Sequence, residues 1–412
     1  MQMFGKLPFI LLFLPVLAAS GCGTLSRSAT LTSNTYAVSN NYAVTAIGDS
    51  LTAGNQDRTG ITYPNQLSLL IPQSVTNLGV YGQRTGDIVT RTLNAYSGQS
   101  EQTFAAGFAI PTSGSVTVTF QSGYNPIYNT VGQPISTVVS GTSYELSCSD
   151  WNPAVDQTAT CAPITYPGSA VTVPSGNAWL SLAPQYKGGT LLIWEGRDNL
   201  GGVRDCPTLP ITESNCPIVR DIAAAVAVAV ARGGTYAVLS IFNTDNEPMG
   251  SGYYNEIIGI NTYLAAAYGS NYLDVRRYVI SKGSPANAAD VIDQENDVPP
   301  YSLRAEDWSN TLAAAITSTS QTSINVTDGT LYDGLVMSVG SELMLCTICY
   351  DTSGTVTRGY ANTPAATYAS GTVLTGVDGL HPGQNASSPA NPNYTNGYTA
   401  VAGDVYSWFE RQ

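Results

Sequence analysis

Residues 42–51 read YAVTAIGDSL, a short apolar run that ends in Gly48, Asp49 and Ser50. A run of this length and composition is typical of a strand buried on both faces of a parallel sheet. Ligands bind open α/β sheets at the carboxyl ends of their strands. We therefore predict a strand at 42–47 and place Ser50 at the edge of the sheet where a binding site is expected.

Strands and helices alternate on the C-terminal side of this run. Predicted strands cover 74–80, 190–195, 236–242 and 272–275; predicted helices cover about 62–71, 85–96, 217–232, 252–268 and 398–410. This alternation implies a parallel sheet with helices on both faces. The predicted fold class is α/β, with a five-stranded parallel sheet.

Two β-rich stretches interrupt this alternation of strands and helices, and the first shows a strand pattern of period two. Residues 100–188 contain the runs 116–120, 135–139 and 170–173, separated by Gly, Pro and Asn. They predict an all-β insertion of sandwich type. A second β-rich stretch, at about 323–374, resembles a small β module of phage structural and surface proteins.

Ser50, Asp378 and His381 are the candidate catalytic residues. His381 is the only histidine, so any histidine base must be that residue. In a tight turn, Asp378 can accept the Nδ1–H of His381 and leave Nε2 free for Ser50. Alternatively, Gly-Asp-Ser is only a turn with a helix cap, and the histidine is structural. We interpret Asp49 as an acceptor of turn N–H groups.

These segments together resemble the SGNH, or GDSL, hydrolase family. Residues 48–51 (GDSL) resemble its nucleophile block, and residues 77–82 (NLGVYG) resemble its second block, whose later glycine donates a backbone N–H to the oxyanion hole. Asp378 and His381 match its last block. The resemblance implies a three-layer, flavodoxin-like α/β/α sandwich and an oxyanion hole that includes the N–H groups of Ser50 and Gly82.

The third block departs from the family pattern. The family has Gly-x-Asn-Asp, in which the Asn amide is an oxyanion donor, whereas this chain has Gly-Arg-Asp-Asn at 196–199. Direct alignment places Asp198 at the donor position, and an ionised carboxylate cannot donate. We expect a one-residue shift that lets Asn199 donate instead. A protonated Asp198, or reduced activity, are the alternatives.

Composition limits the possible partners and metal sites. The 412 residues carry a net charge of −13 and only 11% charged residues, with 43% hydrophobic residues to build a core. A chain this acidic repels nucleic acid and anionic lipid, so neither is expected as a partner. One histidine excludes a His-rich metal site.

The N-terminus predicts export. Residues 1–21 combine Lys6 with the apolar run 7–19, as a secretory signal peptide does. Residues 18–22 (AASGC) resemble a bacterial lipobox, so we expect lipidation of Cys22, with simple secretion as the alternative. Residues 22–41 then form a tether, and the predicted location is the bacterial cell envelope.

The other six cysteines predict three disulfides, because an even number in an exported chain is typical of a disulfide framework. We expect nearest-neighbour pairing of Cys148 with Cys161, Cys206 with Cys216, and Cys346 with Cys349. Fourteen other connectivities are open. The last pair could instead form a redox motif.

The predicted organisation follows from these observations. The expected segments are a signal peptide (1–21), a lipidated tether (22–41), the hydrolase core (42–99, 189–313 and 377–412), a β-sandwich-like insertion (100–188) and a small β module (314–376). The resemblance implies a serine esterase, and its mechanism needs no cofactor. A lipid-anchored chain with a sandwich-like insertion favours O-acetyl or short acyl esters of glycans or small molecules as substrates, and we expect a monomer. A lipase or lysophospholipase, and a non-catalytic surface binding protein, are the alternatives.

Overall fold

The computed structural model describes residues 43–54, 59–150, 157–200, 206, 210–329, 331–385 and 396–412. The predicted signal peptide, Cys22 and the tether lie outside these residues. No helix in the described ranges is long and apolar enough to cross a membrane.

The helices and strands follow one another in four groups. The first is β1 (Val44–Gly48), α1 (Ser50–Ala53), α2 (Tyr63–Leu67), β2 (Val75–Gly79) and α3 (Thr85–Leu93). The second is β3 (Phe108–Ile110), β4 (Val116–Thr119), β5 (Gln133–Val139), β6 (Thr142–Ser149), β7 (Thr158–Pro163), β8 (Val171–Val173) and β9 (Trp179–Ser181). The third is β10 (Thr190–Trp194), α4 (Pro217–Ala231), β11 (Thr235–Leu239), α5 (Gly252–Tyr268), β12 (Tyr272–Leu273), α6 (Val275–Ile280) and α7 (Ala288–Glu295). The last is β13 (Arg304–Thr311), β14 (Ser323–Asn325), β15 (Leu331–Tyr332), β16 (Val336–Val339), β17 (Glu342–Asp351), β18 (Ser353–Thr357), β19 (Val373–Pro382) and α8 (Gly397–Phe409).

A five-stranded parallel sheet organises the first and third groups. Its order is β12-β11-β10-β1-β2, and every neighbouring pair is parallel, which confirms the predicted sheet. The chain leaves β1 for β2 on one side and later enters β10 on the other, so β1 lies at the switch point of the topology. Its last residue, Gly48, pairs with Trp194 and Gly79.

Alternate residues of this sheet enter two separate hydrophobic clusters. Ile47, Ile193 and Val238 pack with apolar residues of α3, α4 and α5. Ala46, Leu192 and Leu239 pack with residues of α2, α6 and α8. Both sets are almost completely buried, which explains why these strands read as continuous apolar runs rather than as alternating patterns.

Two helix predictions need correction. The helix expected at 62–71 ends at Leu67, and Leu70 is 45% exposed instead of lying on a buried face. After Leu67 the chain continues in tighter turns, in which the N–H groups of Leu69 and Leu70 donate to carbonyls three residues back, and Pro72 disfavours helical geometry at the residue before it. Thr85 is the first residue of α3 rather than its cap, and its hydroxyl donates to Asp221 at 2.8 Å.

The predicted β insertion is an antiparallel region of two sheets. Its five-stranded sheet has the order β4-β7-β6-β5-β9, and β3 pairs with β8. Side chains from both sheets share one buried cluster that includes Phe120, Leu146, Val173 and Trp179.

The second β-rich region is larger than its sequence pattern indicated. Its sheet runs β13-β19-β16-β17-β18-β14, with β15 beside β17. β19 continues through residues 373–382, across the boundary that we drew between 376 and 377. The predicted Asp378 and His381 pair therefore belongs to a strand of this antiparallel sheet.

The three disulfides join nearest neighbours along the chain, which confirms the predicted pairing: Cys148–Cys161, Cys206–Cys216 and Cys346–Cys349. The first links residues that face each other on β6 and β7. The last lies within β17 and not at the start of a helix, so its position favours a structural bridge over a redox motif.

Candidate active site

The sharp turn after β1 positions Ser50. Asp49 caps α1 by accepting a hydrogen bond from Leu51 N–H at 3.0 Å, and its other oxygen accepts from Arg197 N–H at 3.2 Å. A Cβ atom on Gly48 would lie 2.0 Å from the carbonyl oxygen of Trp194, so the close approach of the two strands requires glycine. Asp49 therefore has the predicted role of bonding turn N–H groups.

His381 and Asp378 lie in a wide bulge of β19. Arg304 pairs with Pro382 and Glu306 pairs with Val377, so four residues of β19 face a single residue of β13. Within the bulge, Asp378 Oδ1 accepts the N–H groups of Leu380 at 2.6 Å and His381 at 2.5 Å. The bulge thus turns both side chains in one direction, as the expected tight turn would.

The three candidate catalytic side chains form a continuous chain of hydrogen bonds. His381 Nε2 lies 2.7 Å from Ser50 Oγ, and His381 Nδ1 lies 3.0 Å from Asp378 Oδ2. Ser50 and His381 are only 6% and 8% exposed. Segments more than 300 residues apart thus bring a hydroxyl, an imidazole and a carboxylate into the order that nucleophilic catalysis requires.

The pKa values of His381 and Asp378 shift in opposite directions. Burial, the largest single influence, would lower the pKa of His381, but the carboxylates of Asp378, Asp49 and Asp198 together raise this pKa above its ordinary value. Burial alone would raise the pKa of Asp378, yet its interactions with His381 and the two N–H groups lower it. At neutral pH this pair stabilises an imidazolium ion if one forms during a reaction.

This coupling predicts an acid limb in the pH dependence of ester hydrolysis. The base must be neutral, so kcat/KM should rise as pH passes the raised pKa of His381, with a midpoint above about 6.5. In Asp378→Asn, the midpoint should move to lower pH and kcat should fall, although the amide oxygen can still accept both N–H groups of the bulge. Initial rates with p-nitrophenyl acetate from about pH 5 to about pH 9 measure both effects. If the midpoint of kcat/KM lies at the same pH in Asp378→Asn and in wild type, Asp378 is not the group that raises the pKa of His381.

Gly82 lies where the β insertion meets the second block. It has φ +76°, and its backbone N–H faces the carboxyl group of Asp198 and acts to lower the pKa of that group. A Cβ atom here would lie 2.3 Å from Asn129 Nδ2 and 2.9 Å from Tyr128 Cε1. Asn129 also donates to the carbonyl of Tyr81 at 3.0 Å. The insertion therefore packs directly against the loop of the predicted oxyanion donor.

The two candidates of the third block differ in their contacts. The side-chain oxygen of Asn199 accepts Thr85 N–H at 2.9 Å, so this residue is held against the start of α3. Asp198 interacts electrostatically with His381, and the backbone N–H of Gly82 faces its carboxyl group. The donor role of Asn199 stays a prediction, but these contacts favour Asp198 for the position beside the other site residues.

Sequence reasoning missed the partner of Arg197. Both terminal nitrogens of its guanidinium donate to Glu247, each at 2.9 Å. Glu247 follows the end of β11 and also accepts Thr244 N–H at 2.9 Å. The sequence signal for this contact was limited to the position of Glu247 shortly after a predicted strand. The ion pair fixes the backbone next to Asp198 and compensates the charge of Arg197.

Comparisons with protein-family models, with curated proteins and with solved structures return no match to this chain. Across the described part of the chain, no group of three or more His, Cys, Asp and Glu side chains is placed to hold a metal ion.

Proposed function

We propose that this protein is a serine esterase of the SGNH type, with Ser50 as nucleophile, His381 as general base and Asp378 as the group that orients the imidazole. The observation that carries the proposal is the 2.7 Å contact between Ser50 Oγ and His381 Nε2, continued at 3.0 Å to Asp378. A nucleophile, a base and an orienting carboxylate at hydrogen-bond distances are the signature of an activated serine.

The reaction proceeds in two steps. Ser50 Oγ attacks the acyl carbonyl carbon while its proton passes to His381 Nε2, and Asp378 stabilises the resulting imidazolium. The N–H groups of Ser50 and Gly82 stabilise the tetrahedral oxyanion. His381 then protonates the leaving alcohol, and a water molecule activated by the same imidazole releases the acyl group from Ser50.

Two features of the fold support the flavodoxin-like, three-layer arrangement that the SGNH resemblance implies. The parallel sheet, written from its β2 edge, has the order 2-1-3-4-5, which is the order of flavodoxin-like folds. Separate hydrophobic clusters with different helices lie along its alternate residues. Ser50 follows β1, the switch-point strand, where such sheets bind ligands.

The contact between the β insertion and Gly82 supports an acyl group on a glycan or another small molecule as substrate. Tyr128 and Asn129 lie against the loop of the proposed oxyanion donor and so stand at the border of the reacting group. Aromatic and amide side chains can bind the apolar faces and hydroxyl groups of the glycan or small alcohol that carries the acyl group. The three disulfides support a location outside the cytoplasm, and a lipid anchor at Cys22 stays part of the proposal.

One observation favours a second candidate, a non-catalytic binding protein on the same scaffold. The carboxyl group of Asp198 faces the N–H of Gly82, and an ionised carboxylate there would repel a developing oxyanion. In that case Ser50 would bind a ligand without attacking it.

A fluorophosphonate probe distinguishes the two candidates without knowledge of the natural substrate. We expect covalent labelling of Ser50, identified by mass spectrometry of the labelled peptide, because only an activated serine reacts with such a probe. The control is wild-type protein unfolded before labelling. Unlabelled Ser50 in the folded protein, together with no turnover of short or long p-nitrophenyl esters, supports the binding protein instead.

A further inference from the structure

The loop at 240–251, between β11 and α5, reaches the turn that carries Ser50 through one ion pair. Both terminal nitrogens of Arg197 donate to the carboxylate of Glu247, each at 2.9 Å. The backbone N–H of Arg197 donates to Asp49 Oδ2 at 3.2 Å, and Asp49 caps the helix that begins with Ser50. Glu247 therefore fixes, through Arg197, the backbone that carries the proposed nucleophile.

The same loop also contacts the bulge of β19. Asp245 donates its backbone N–H to the carbonyl oxygen of Gly379 at 3.0 Å, and Gly379 lies between Asp378 and His381. The side chain of Asp245 accepts a hydrogen bond from Arg304 at 2.6 Å. A Cβ atom on Gly379 would lie 2.4 Å from Asp245 Oδ1, so the loop and the bulge are in close contact. The contacts with the bulge and with the turn after β1 are thus made by loop residues two positions apart.

Several hydrogen bonds hold this loop in place. Asn243 is completely buried, and its amide nitrogen donates to the carbonyl oxygens of Glu247 at 2.9 Å and Asp297 at 3.0 Å. Its side-chain oxygen accepts from Arg276 Nε at 2.7 Å. Glu247 Oε2 also accepts the N–H of Thr244 at 2.9 Å. A loop bonded in this way gives the rigid support that a catalytic arrangement needs to keep its geometry.

The ion pair of this loop has the geometry of a structural tie and not of a substrate-binding charge. The side chains of Arg197 and Glu247 are 12% and 9% exposed. Both terminal nitrogens of the guanidinium already donate to the carboxylate, and a bidentate pair of this kind fixes orientation as well as distance. The effect of the pair on a reaction would therefore pass through the backbone that it holds.

We propose, on the basis of the proposed esterase function, that Glu247 is a positioning residue for Ser50 and His381. Through Arg197 it holds the turn that carries the serine, while the backbone of Asp245 in the same loop holds the bulge that carries the histidine. A displacement of about 1 Å at the reacting atoms can cost about 10²-fold in rate. Loss of the pair should therefore lower kcat and leave KM nearly unchanged.

The test compares wild type with Glu247→Gln and Glu247→Ala. It measures kcat and KM for p-nitrophenyl acetate and the rate at which a fluorophosphonate labels Ser50. Glutamine keeps one acceptor oxygen but places an amide nitrogen opposite the guanidinium, so kcat should fall about tenfold, and alanine should cost about 10²-fold. KM should stay within about threefold, and the labelling rate should fall in parallel with kcat. The acid limb should keep its midpoint, because the contact of Asp378 with His381 is retained.

Glu342→Gln is the matched control. The carboxylate of Glu342, in β17, also accepts two hydrogen bonds from one guanidinium, from Arg358 Nε at 2.7 Å and Nη2 at 2.8 Å. Both side chains are at most 5% exposed. The change thus removes an equivalent buried ion pair outside the segments that carry Ser50 and His381. This variant should lower the thermal unfolding midpoint, followed by circular dichroism, but keep kcat and the labelling rate near those of wild type.

Three results would overturn the inference. The first is wild-type kcat and labelling in folded Glu247→Gln, which decides alone if Glu247→Ala does not fold. The second is a raised KM with unchanged kcat, which would assign the pair to substrate binding. The third is an equal loss of kcat in Glu342→Gln, because a general loss of stability would then explain the effect. An absence of labelling and turnover in wild type would instead overturn the proposed esterase function, and this inference with it.

Discussion

The Ser50→Ala variant should lose at least about 10⁴-fold in kcat for p-nitrophenyl acetate, because Ser50 carries the hydroxyl that lies at the Nε2 atom of His381. His381→Ala should show a loss of similar size, since an unactivated serine is a weak nucleophile. The double variant should be little worse than either single variant, because the two residues act as a unit. Steady-state kinetics on the purified proteins measure all three losses.

The control for this prediction is Ser97→Ala, which removes an exposed serine hydroxyl at the end of the segment after α3. It should leave kcat and the thermal unfolding midpoint near those of wild type. Circular dichroism should also show folded Ser50→Ala and His381→Ala proteins. Wild-type turnover in folded His381→Ala would remove the basis of the proposed mechanism.

Arg304→Met should lower the free energy of unfolding by about 3–5 kcal/mol. The guanidinium of Arg304 is 1% exposed and donates to Asp245 at 2.6 Å and to Asp293 at 3.0 Å. Methionine keeps part of the apolar stem but leaves both buried carboxylates without their cation. Burial already raises the pKa of Asp293 to about 7, so removal of Arg304 should raise it further. Urea denaturation followed by circular dichroism measures the change.

Arg232→Met is the matched control for Arg304→Met. Arg232 is exposed at the end of α4, where its guanidinium lies 5.6 Å from the ring centre of Tyr186. Its replacement should change the free energy of unfolding by less than about 1 kcal/mol. Equal losses in the two variants would show that the buried ion pairs do not stabilise the fold. Arg304→Met should also lower kcat, because Arg304 pairs with Pro382 beside the His381 bulge and Asp245 donates its N–H to the carbonyl of Gly379.

Features encoded by short, local patterns could be predicted from the sequence. The strand that ends at Gly48 is one continuous apolar run, and the disulfides join cysteines that are close in the chain. The contact between Asp378 and His381 depends on a spacing of three residues within one bulge. Each of these predictions needed only the chemistry of a few consecutive side chains.

Features set by contacts between distant segments could not be predicted. The choice between Asp198 and Asn199 depends on the bond from Thr85 N–H to Asn199, which joins residues 114 positions apart. The ion pair of Arg197 with Glu247 crosses 50 positions, and its partner has no motif. β19 also extends beyond the region that its pattern indicated, because pairing with β13 continues past the apolar residues.

The two halves of the proposed catalytic apparatus are anchored in different sheets. The proposed nucleophile follows β1 of the parallel sheet. The proposed base and its orienting acid lie in β19, which pairs with β13 and β16. The sequence pattern suggests that 314–376 is a separate insertion. Its deletion would nevertheless remove β16 and the first four residues of β19. The module therefore holds the imidazole in place, and removing it would leave the α/β portion without the proposed catalytic base in position.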